Sequence, residues 1–427
     1  MTPALVLLVL LLLLGFPLVV PLVAASLLAI ATAVPGFGGE IVVQQMIGGV
    51  KPAALVAVPM FILAADVMTA GQTANRLLDL VTTFVAHHRG GLPMAGAIAC
   101  TLFGAVSGST QATVVAIGGP IRPRLLQQGY PNGFTTALII NASDIALLIP
   151  PSIGMIVYGV VAGVSIGELF VAGVMPGLLV LLLFCAYCWR AAGQFGIEPA
   201  ARAPWPERRA ALRRALLPLG FPIIILGGIY SGLFSPTEAA AVSVVYAVVL
   251  ESLVFQELPL RALPQVALST GVVTAVVFIL VGAGAAFSWV ISFAELPAWL
   301  VTEVLGLGPD AGYWRLMLTM SLAYFVGCMF VDPIVVILVL APIFHPVAVS
   351  AGIDPVLVGV IATLQVAIGS ATPPFGCDIF TAVAVFRRPY LEVIRGTPPF
   401  IGLLLLATLL LIAFPSITLV LPRLAFG

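Results

Sequence analysis

Glycines and small polar residues interrupt two long apolar stretches of this sequence, and the interruptions hold oxygen atoms that could bind an ion. The first interruption reads Ser107-Gly108-Ser109, and the second ends in Asp332-Pro333. Hard cations in proteins take hydroxyl, carbonyl and carboxylate oxygens as ligands. The alternative for the first interruption is a seam of small residues where helices pack. Asp332 has a structural alternative as well, because an Asp followed by a Pro suits the start of a helix.

Paired prolines break two further apolar stretches. In the first of these, Asn141 and Ser143 precede Pro150-Pro151-Ser152. The second runs from Gly369 to Gly376 and contains Pro373-Pro374. Proline has no N–H and disfavours helix at the residue before it, so each pair must interrupt a helix. The carbonyl groups that lose their helical partners need others, and a bound cation is one candidate.

The elements that carry these interruptions are predicted to be membrane-spanning helices. Of the 427 residues, 61% are hydrophobic and 8% are charged, and the mean hydropathy is +1.21. Soluble domains carry about 25% charged residues, so this sequence cannot cover the surface of a soluble domain. Stretches of about 20 apolar residues can cross the hydrocarbon layer of a membrane. The predicted spans are 3–33, 52–70, 132–165, 168–190, 216–234, 236–255, 267–292, 355–386 and 398–420.

The first two interruptions fall in the stretches 93–125 and 314–346, which we interpret as re-entrant hairpins. The N-terminal stretch lacks a basic flank and an obvious cleavage site, so we interpret it as a retained span and not as a signal peptide. The longest polar stretch, 190–215, carries six arginines against two glutamates. The positive-inside rule places this stretch in the cytoplasm, and counting spans backwards from it predicts a cytoplasmic N-terminus.

The second half of the chain repeats the pattern of the first. Three prolines and their counterparts anchor the repeat at spacings of 222 or 223 residues: Pro120, Pro150 and Pro176 against Pro342, Pro373 and Pro398. We predict an all-α polytopic membrane protein with inverted-topology repeats over residues 1–190 and 236–427. Residues 191–235 are predicted to form a cytoplasmic arginine-rich loop and a linking span that reverses the second repeat. Secondary transporters use such repeats for alternating access.

This symmetry predicts one sodium site in each half. The first would lie between the 107–109 tip and the break at 141–150, and the second between the 327–332 tip and the break at 369–372. The predicted ligands are Ser107, Gly108, Ser109, Asn141, Ser143, Pro150, Gly327, Met329, Asp332, Gly369, Thr372 and Gly376. We expect Ser152, Thr372 and Pro373 to contact a transported substrate. The alternative is that water or neighbouring helices satisfy the same carbonyls.

Motifs for enzymes and nucleic-acid binding are missing from the sequence. The only lysine is Lys51, so there is no phosphate-binding G-x-x-x-x-G-K-[ST] loop, and there is no H-E-x-x-H. Cys185 and Cys188 form a C-x-x-C inside an apolar run without a second ligand pair, so we interpret them as packing residues. The net charge is zero, without a basic patch for nucleic acid. We therefore predict a transporter and keep an intramembrane enzyme as a remote alternative.

The sequence resembles the large membrane subunit of TRAP transporters, the tripartite ATP-independent periplasmic family of bacteria. The stretches that carry the resemblance are 58–64 (VPMFILA), 107–109 (SGS), 129–131 (GYP), 149–152 (IPPS), 158–160 (YGV), 236–241 (PTEAAA), 352–355 (GIDP) and 372–376 (TPPFG). One departure is residues 141–148, NASDIALL, where the family often has a Ser-rich run with Gly-Pro. We expect that departure to alter the substrate or the ion site.

The resemblance implies a sodium-coupled importer of an organic anion, a carboxylate or an acidic sugar, in the bacterial inner membrane. It implies a soluble periplasmic substrate-binding protein that delivers the substrate and a small four-helix membrane subunit that buttresses this one within the lipid. It also implies an elevator-type mechanism, in which the hairpins and interrupted spans move against a scaffold of the other spans. The alternative transporter is a stand-alone sodium–dicarboxylate or citrate carrier of similar architecture.

Overall fold

The computed structural model of the chain describes residues 2–33, 36–294, 306 and 312–426. Every regular element among these residues is a helix, which confirms the predicted all-α class. The helices of the first half are α1 (Thr2–Leu13), α2 (Val19–Ala33), α3 (Glu40–Val50), α4 (Ala57–Ala70), α5 (Thr73–Val85), α6 (Gly91–Ser107), α7 (Thr110–Gln127), α8 (Asn132–Ser143), α9 (Ile153–Ala162) and α10 (Ile166–Gln194). Those of the second half are α11 (Trp205–Tyr230), α12 (Pro236–Val248), α13 (Leu263–Phe293), α14 (Tyr313–Cys328), α15 (Pro333–Ser350), α16 (Pro355–Ser370), α17 (Cys377–Phe386), α18 (Tyr390–Ile394), α19 (Pro398–Ala413) and α20 (Ser416–Phe426).

Six helical segments within the described ranges are long and apolar enough to cross a membrane. They include α10 and α13, which cover the predicted spans 168–190 and 267–292, and α11, which covers residues 216–230 of the predicted span 216–234. The predicted polar loop 190–215 is shorter than expected, because α10 continues to Gln194 and α11 already begins at Trp205. The closing span 398–420 is also divided, since α19 and α20 meet at a bend of 59°.

The predicted single span over residues 3–33 is wrong. The chain instead forms two helices of 12 and 15 residues, α1 and α2, that pack against each other. Gly15 has a positive φ of 78° at their junction, and Pro17 lacks the N–H that a continuous helix needs. At about 1.5 Å per residue the two helices measure about 18 and 22 Å, less than the about 30 Å of a hydrocarbon core.

Two helical hairpins are present where the sequence predicts them. The first hairpin consists of α6 and α7, and the second of α14 and α15. A tight turn joins the arms of the first hairpin, where Gly108 adopts a left-handed φ of 60°. The Ser109 side chain then caps α7 by accepting a bond from the Ala112 N–H. Asp332 caps α15 in the second hairpin by accepting a bond of 2.9 Å from the Ile334 N–H.

Both interrupted spans are also confirmed. The first runs through α8, a 3-10 turn over Asp144–Leu147, the paired prolines and α9. The second runs through α16, the second proline pair and α17. The proline pairs remove N–H donors in the middle of each span, so the backbone must leave the helix there.

The interrupted spans and hairpins form one packed unit that crosses the two halves. The second hairpin arm of one half packs against the interrupted span of the other: α7 contacts α17, and α15 contacts α9. Around this unit, α4 packs on α12, and α3 packs along α13. The packed unit therefore joins the two repeats, so neither half buries its apolar surface alone.

Candidate functional site

The tip of the first hairpin lies on the proline break of its own half. The Ile153 N–H donates to the Gly108 carbonyl at 3.4 Å. A Cβ atom on Gly108 would lie only 2.0 Å from the carbonyl oxygen of Pro151. Glycine is therefore required at this position both by its positive φ and by the close approach of the break.

The tip of the second hairpin lies on its own break in the same way. The Phe375 N–H donates to the Met329 carbonyl at 3.1 Å, which is the repeat-related counterpart of the bond between Ile153 and Gly108. A Cβ atom on Gly369 would lie 2.6 Å from the carbonyl oxygen of Phe325. In each half, the hairpin tip therefore lies against the proline break with which the sequence analysis pairs it.

Several hydroxyl groups predicted to bind sodium have protein partners. Ser107 Oγ lies 3.0 Å from Thr113 Oγ1, and the Ser143 hydroxyl donates to the Ile139 carbonyl at 2.8 Å. The Thr372 hydroxyl donates to the Ile368 carbonyl at 2.6 Å. Ser152, which is predicted to contact the substrate, caps α9 by accepting a bond of 3.3 Å from the Met155 N–H. A hydroxyl oxygen that donates one hydrogen bond keeps lone pairs for a cation, so these bonds leave the predicted roles open.

The first break contains three acceptor atoms without a partner. Asn141 donates through Nδ2 to the Ala137 carbonyl at 2.8 Å, but its Oδ1 accepts no hydrogen bond among the described residues. Both carboxylate oxygens of Asp144 also lack a partner in the described part of the chain. Asn141 is fully buried, and only 1% of Asp144 is exposed. A spacing of three residues puts the two side chains on the same side of the helix.

Asp378 is a second buried carboxylate that the sequence analysis missed. Its Oδ1 accepts a bond of 2.7 Å from the Thr110 hydroxyl at the first hairpin tip. Its Oδ2 accepts a bond of 2.6 Å from the Ser370 hydroxyl at the second break. Asp378 and Asp144 lie close enough for their charges to interact, and neither forms an ion pair within the described ranges. The signal was available, since an ionisable residue inside a span is functional by default.

A cavity of about 470 Å³ lies between the hairpin tips and the helices α4 and α13. Ser107, Ser109 and Gln111 line it from the first hairpin, Asp332 from the second and Asp66 from α4. Thr270 of α13 donates a hydrogen bond to Asp66. Ser152, Thr372 and Pro373, the predicted substrate contacts, do not line this cavity.

Three helix N-termini meet beside this cavity. A smaller adjoining pocket is lined by the first residues of α7, α9 and α15, among them Thr110, Ile153 and Pro333. The N-terminus of a helix carries a partial positive charge and free N–H groups. Asp332 already caps α15. The arrangement can therefore hold a carboxylate at the N-termini of α7 and α9 and a cationic group at Asp66 or Asp332.

Comparison with known proteins places the chain in a family. The family model described as the DctM component of the tripartite ATP-independent periplasmic transporter matches residues 5–417. The ectoine TRAP transporter large permease protein TeaC of Halomonas elongata is 59% identical over 417 residues, which cover 97% of each chain. The ectoine/5-hydroxyectoine TRAP transporter large permease protein UehC of Ruegeria pomeroyi is 60% identical over 423 residues, which cover 98% of each chain.

The fold is also found in a solved structure. The crystal structure of the YdaH transporter of Alcanivorax borkumensis superposes with a TM-score of 0.65 and 19% sequence identity, covering 88% of this chain and 87% of that one. The family match confirms the predicted resemblance, and the membrane-spanning helices agree with the predicted location in the bacterial inner membrane. The chain belongs to the TRAP transporter family, as its DctM component, the large permease.

Proposed function

We propose that this chain is the large permease of an importer for ectoine and closely related zwitterions. The observation that carries this proposal is identity of 59% and 60% over nearly the whole chain to two permeases named for ectoine. Ectoine carries a carboxylate and a positively charged ring. The proposed substrate is thus a zwitterion, and it differs from the organic anion that the family resemblance implies.

The cavity between the hairpin tips and α4 suits such a zwitterion. The N-termini of α7 and α9 offer N–H groups and positive dipole ends to the substrate carboxylate. Asp66 and Asp332 offer carboxylates to the cationic ring from different elements of the cavity wall. Opposite charges held at a fixed separation distinguish a zwitterion from a simple dicarboxylate, which these two acids would repel.

We further propose that sodium is the coupling ion, bound first at the break of the first half. Oδ1 of Asn141 and both oxygens of Asp144 are buried acceptors without a donor among the described residues. A carboxylate buried without a partner costs several kcal/mol or more, and a bound cation removes that cost. Sodium accepts oxygen ligands of this kind, and the tip carbonyl of Gly108 lies at the same break.

The mechanism that suits this geometry is an elevator. The two hairpins and the two interrupted spans pack against one another across the repeats, so they can move as one body. The cavity lies between that body and α4 with α13, where movement would expose it first to one side of the membrane and then to the other. Sodium and substrate bound at the tips would travel together.

The proposed partners are a periplasmic binding protein for ectoine and a small four-helix membrane subunit. The family description as tripartite and periplasmic supports both. Exposed apolar residues on α13, such as Leu268 and Ile279, offer surface to lipid or to the small subunit. The binding protein would supply much of the substrate selection, and the permease would supply the coupling to sodium.

Uptake in cells that lack ectoine importers tests the substrate. The permease is expressed together with its small subunit and binding protein, and uptake of labelled ectoine is measured against unlabelled ectoine, 5-hydroxyectoine, succinate and sialic acid. We expect ectoine and 5-hydroxyectoine to compete and the other two to leave uptake unchanged. Competition by succinate as strong as that by ectoine would contradict the substrate proposal.

A matched pair of variants tests the role of the cavity. Asp66→Asn removes one carboxylate from the cavity wall, whereas Asp79→Asn removes one from the exposed surface of α5, where it pairs with Arg124 at 2.9 Å. We expect the first variant to lose most ectoine uptake and the second to retain it.

Robust uptake by the permease alone in liposomes, without the small subunit and the binding protein, would favour the stand-alone carrier instead.

A further inference from the structure

A cluster of basic side chains lies where the loop 86–90, the end of α10 and the start of α11 meet. We call it the basic cluster, and it consists of His87, His88, Arg89, Arg202 and Arg208. The rings of His87 and His88 are 4.0 Å apart between centroids, and Arg208 Nη2 lies 3.4 Å from His87 Nδ1. The Ala200 N–H donates to the Ala86 carbonyl at 3.2 Å, which holds the loop between α10 and α11 against the loop 86–90.

Arg208 is the buried member of the basic cluster. Only 6% of its surface is exposed, and its Nε has no hydrogen-bond partner among the described residues. Its guanidinium lies 5.4 Å from the centre of the Phe84 ring, and it makes no ion pair within the described ranges. An arginine buried in this way without an acid is costly unless an anion joins it.

The charges around His87 are all positive. Burial lowers the pKa of His87 below its usual value, and the charges of His88, Arg208 and Arg202 lower it further. The nearest acids in sequence face elsewhere: Glu207 lines a neighbouring polar cavity together with Arg214, and Glu198 is exposed. A bound anion would relieve this repulsion, because it compensates several cationic groups at once.

The surroundings of the basic cluster resemble a membrane surface. Trp189 and Trp205 are 52% and 62% exposed beside it, and Arg89 lies 4.7 Å from the centre of the Trp189 ring. Tryptophans of this kind mark the level of lipid head groups. Leu212 and Leu216 are exposed one and two turns further along α11, so apolar surface for an acyl chain begins next to the cluster.

We propose that the basic cluster binds the phosphate group of an anionic phospholipid, with Arg208 as its main ligand and His87 and Arg202 beside it. Arg208 presents the planar set of N–H donors that matches phosphate oxygens. The arginine-rich segment from 190 to 215 is predicted to face the cytoplasm, where basic pockets between helices bind such head groups. This site is separate from the hairpin tips and does not depend on the substrate or the coupling ion.

Thermal unfolding of the purified full-length chain in detergent tests this proposal, with phosphatidylglycerol, phosphatidylcholine or inorganic phosphate added in separate arms. Phosphatidylglycerol should raise the unfolding midpoint of the parent by several degrees, because a ligand of the native state stabilises it. The matched control is Arg209→Gln, which removes an exposed arginine next to Arg208 and should keep the shift. Arg208→Gln should lose it.

If Arg208→Gln does not fold, the double variant His87→Gln/Arg202→Gln keeps the buried arginine and should lose at least half of the shift. Phosphatidylcholine, whose phosphate is balanced by choline, should give a smaller shift than phosphatidylglycerol. Stabilisation by inorganic phosphate without stabilisation by phosphatidylglycerol would assign the site to a free anion and overturn the lipid proposal. Equal shifts in Arg208→Gln and Arg209→Gln, or no shift in the parent, would overturn it as well.

Discussion

The two proline breaks share a backbone plan but treat their carboxylates differently. At the second break, Asp378 accepts bonds from Thr110 and Ser370, so both of its oxygens are satisfied. At the first break, neither oxygen of Asp144 has a partner among the described residues, although Asp144 is equally buried. The backbone contacts are the same in both repeats, as the bonds from Ile153 and Phe375 to the hairpin tips show. The hydrogen bonding of the two acids differs between the repeats.

We infer from this difference that the two carboxylates have different roles in the two halves. Asp144 precedes its proline pair and Asp378 follows the other pair, so the two acids do not occupy equivalent positions of the repeat. A carboxylate with two hydroxyl donors is suited to joining elements, since its bonds hold the first tip to the second half. A carboxylate without donors is suited to receiving a cation, since the cation satisfies oxygens that nothing else does.

The largest effect is expected for Asp144→Asn. Removing the charge from the proposed sodium site should raise the sodium concentration for half-maximal uptake by more than about a hundredfold, because breaking a buried charge pair costs about 3–5 kcal/mol. The measurement is ectoine uptake across a sodium titration. Asp354→Asn is the control, since Asp354 caps α16 by accepting a bond of 2.9 Å from the Val356 N–H and Asn also serves as a cap.

That result separates two accounts of Asp144. A purely structural acid would leave the sodium titration unchanged while its replacement altered only the unfolding midpoint. The sodium account requires the titration to move and sodium itself to stabilise the parent more than the variant. An unchanged titration in Asp144→Asn would therefore contradict the proposed division between the two breaks.

A smaller loss is expected for Gly108→Ala. The added Cβ would meet the Pro151 carbonyl oxygen at 2.0 Å, and the left-handed φ of 60° disfavours alanine. We expect the free energy of unfolding to fall by about 2–3 kcal/mol, together with loss of uptake. Differential scanning fluorimetry in detergent measures the first effect.

Gly119→Ala is the matched control for Gly108→Ala, because Gly119 lies in α7, the helix that begins two residues after Gly108, with open space around its Cβ position. Alanine there should be neutral or stabilise the protein by up to about 1 kcal/mol. Similar losses in both variants would show that the close approach of tip and break is not what requires glycine.

Asp378→Asn is expected to have a moderate effect on stability. The Thr110 and Ser370 hydroxyls would lose a charged acceptor, which lowers the free energy of unfolding by about 1–2 kcal/mol. The sodium titration should shift less than in Asp144→Asn, since Asp378 already has two donors. A larger sodium shift for Asp378 than for Asp144 would reverse the roles that we assign to the two acids.

The smallest effect is expected for Ser107→Ala and Thr372→Ala, one variant in each half. Both hydroxyls hydrogen-bond within the protein, so each is at most a supplementary ligand of a sodium ion. We expect the half-maximal sodium concentration to rise a few-fold in each, with normal amounts of the protein in the membrane. A shift in one variant alone would confine ion binding to that half.

The hairpins and breaks could be predicted because residues at or next to them indicate where a helix starts or stops. Pro150-Pro151 and Pro373-Pro374 cannot continue a helix, and Ser109 and Asp332 are natural caps for the helices that follow them. Each of these signals lies within a few residues of the feature that it produces. The family resemblance added the partners and the coupling ion, which no local pattern contains.

Other features depend on contacts that local patterns do not reveal. The bond from Thr110 to Asp378 joins residues 268 positions apart, so the pairing of the two halves at this acid was not predictable from either segment. The division of residues 3–33 into α1 and α2 was missed because hydropathy ignores a single Gly15 and Pro17 among apolar neighbours. The helix α3 was missed since it is stabilised by packing along α13 and not by its own hydropathy.

Simultaneous measurement of sodium and ectoine fluxes tests the central claim most directly. Proteoliposomes hold the permease with its small subunit, ectoine-loaded binding protein is added outside, and labelled sodium and labelled ectoine are followed together under an inward sodium gradient. We predict ectoine entry that requires the gradient and carries sodium with it, with both fluxes lost in Asp144→Asn and kept in Asp354→Asn. Ectoine entry that is unchanged when potassium replaces sodium, or that persists with its sodium flux in Asp144→Asn, would contradict the account.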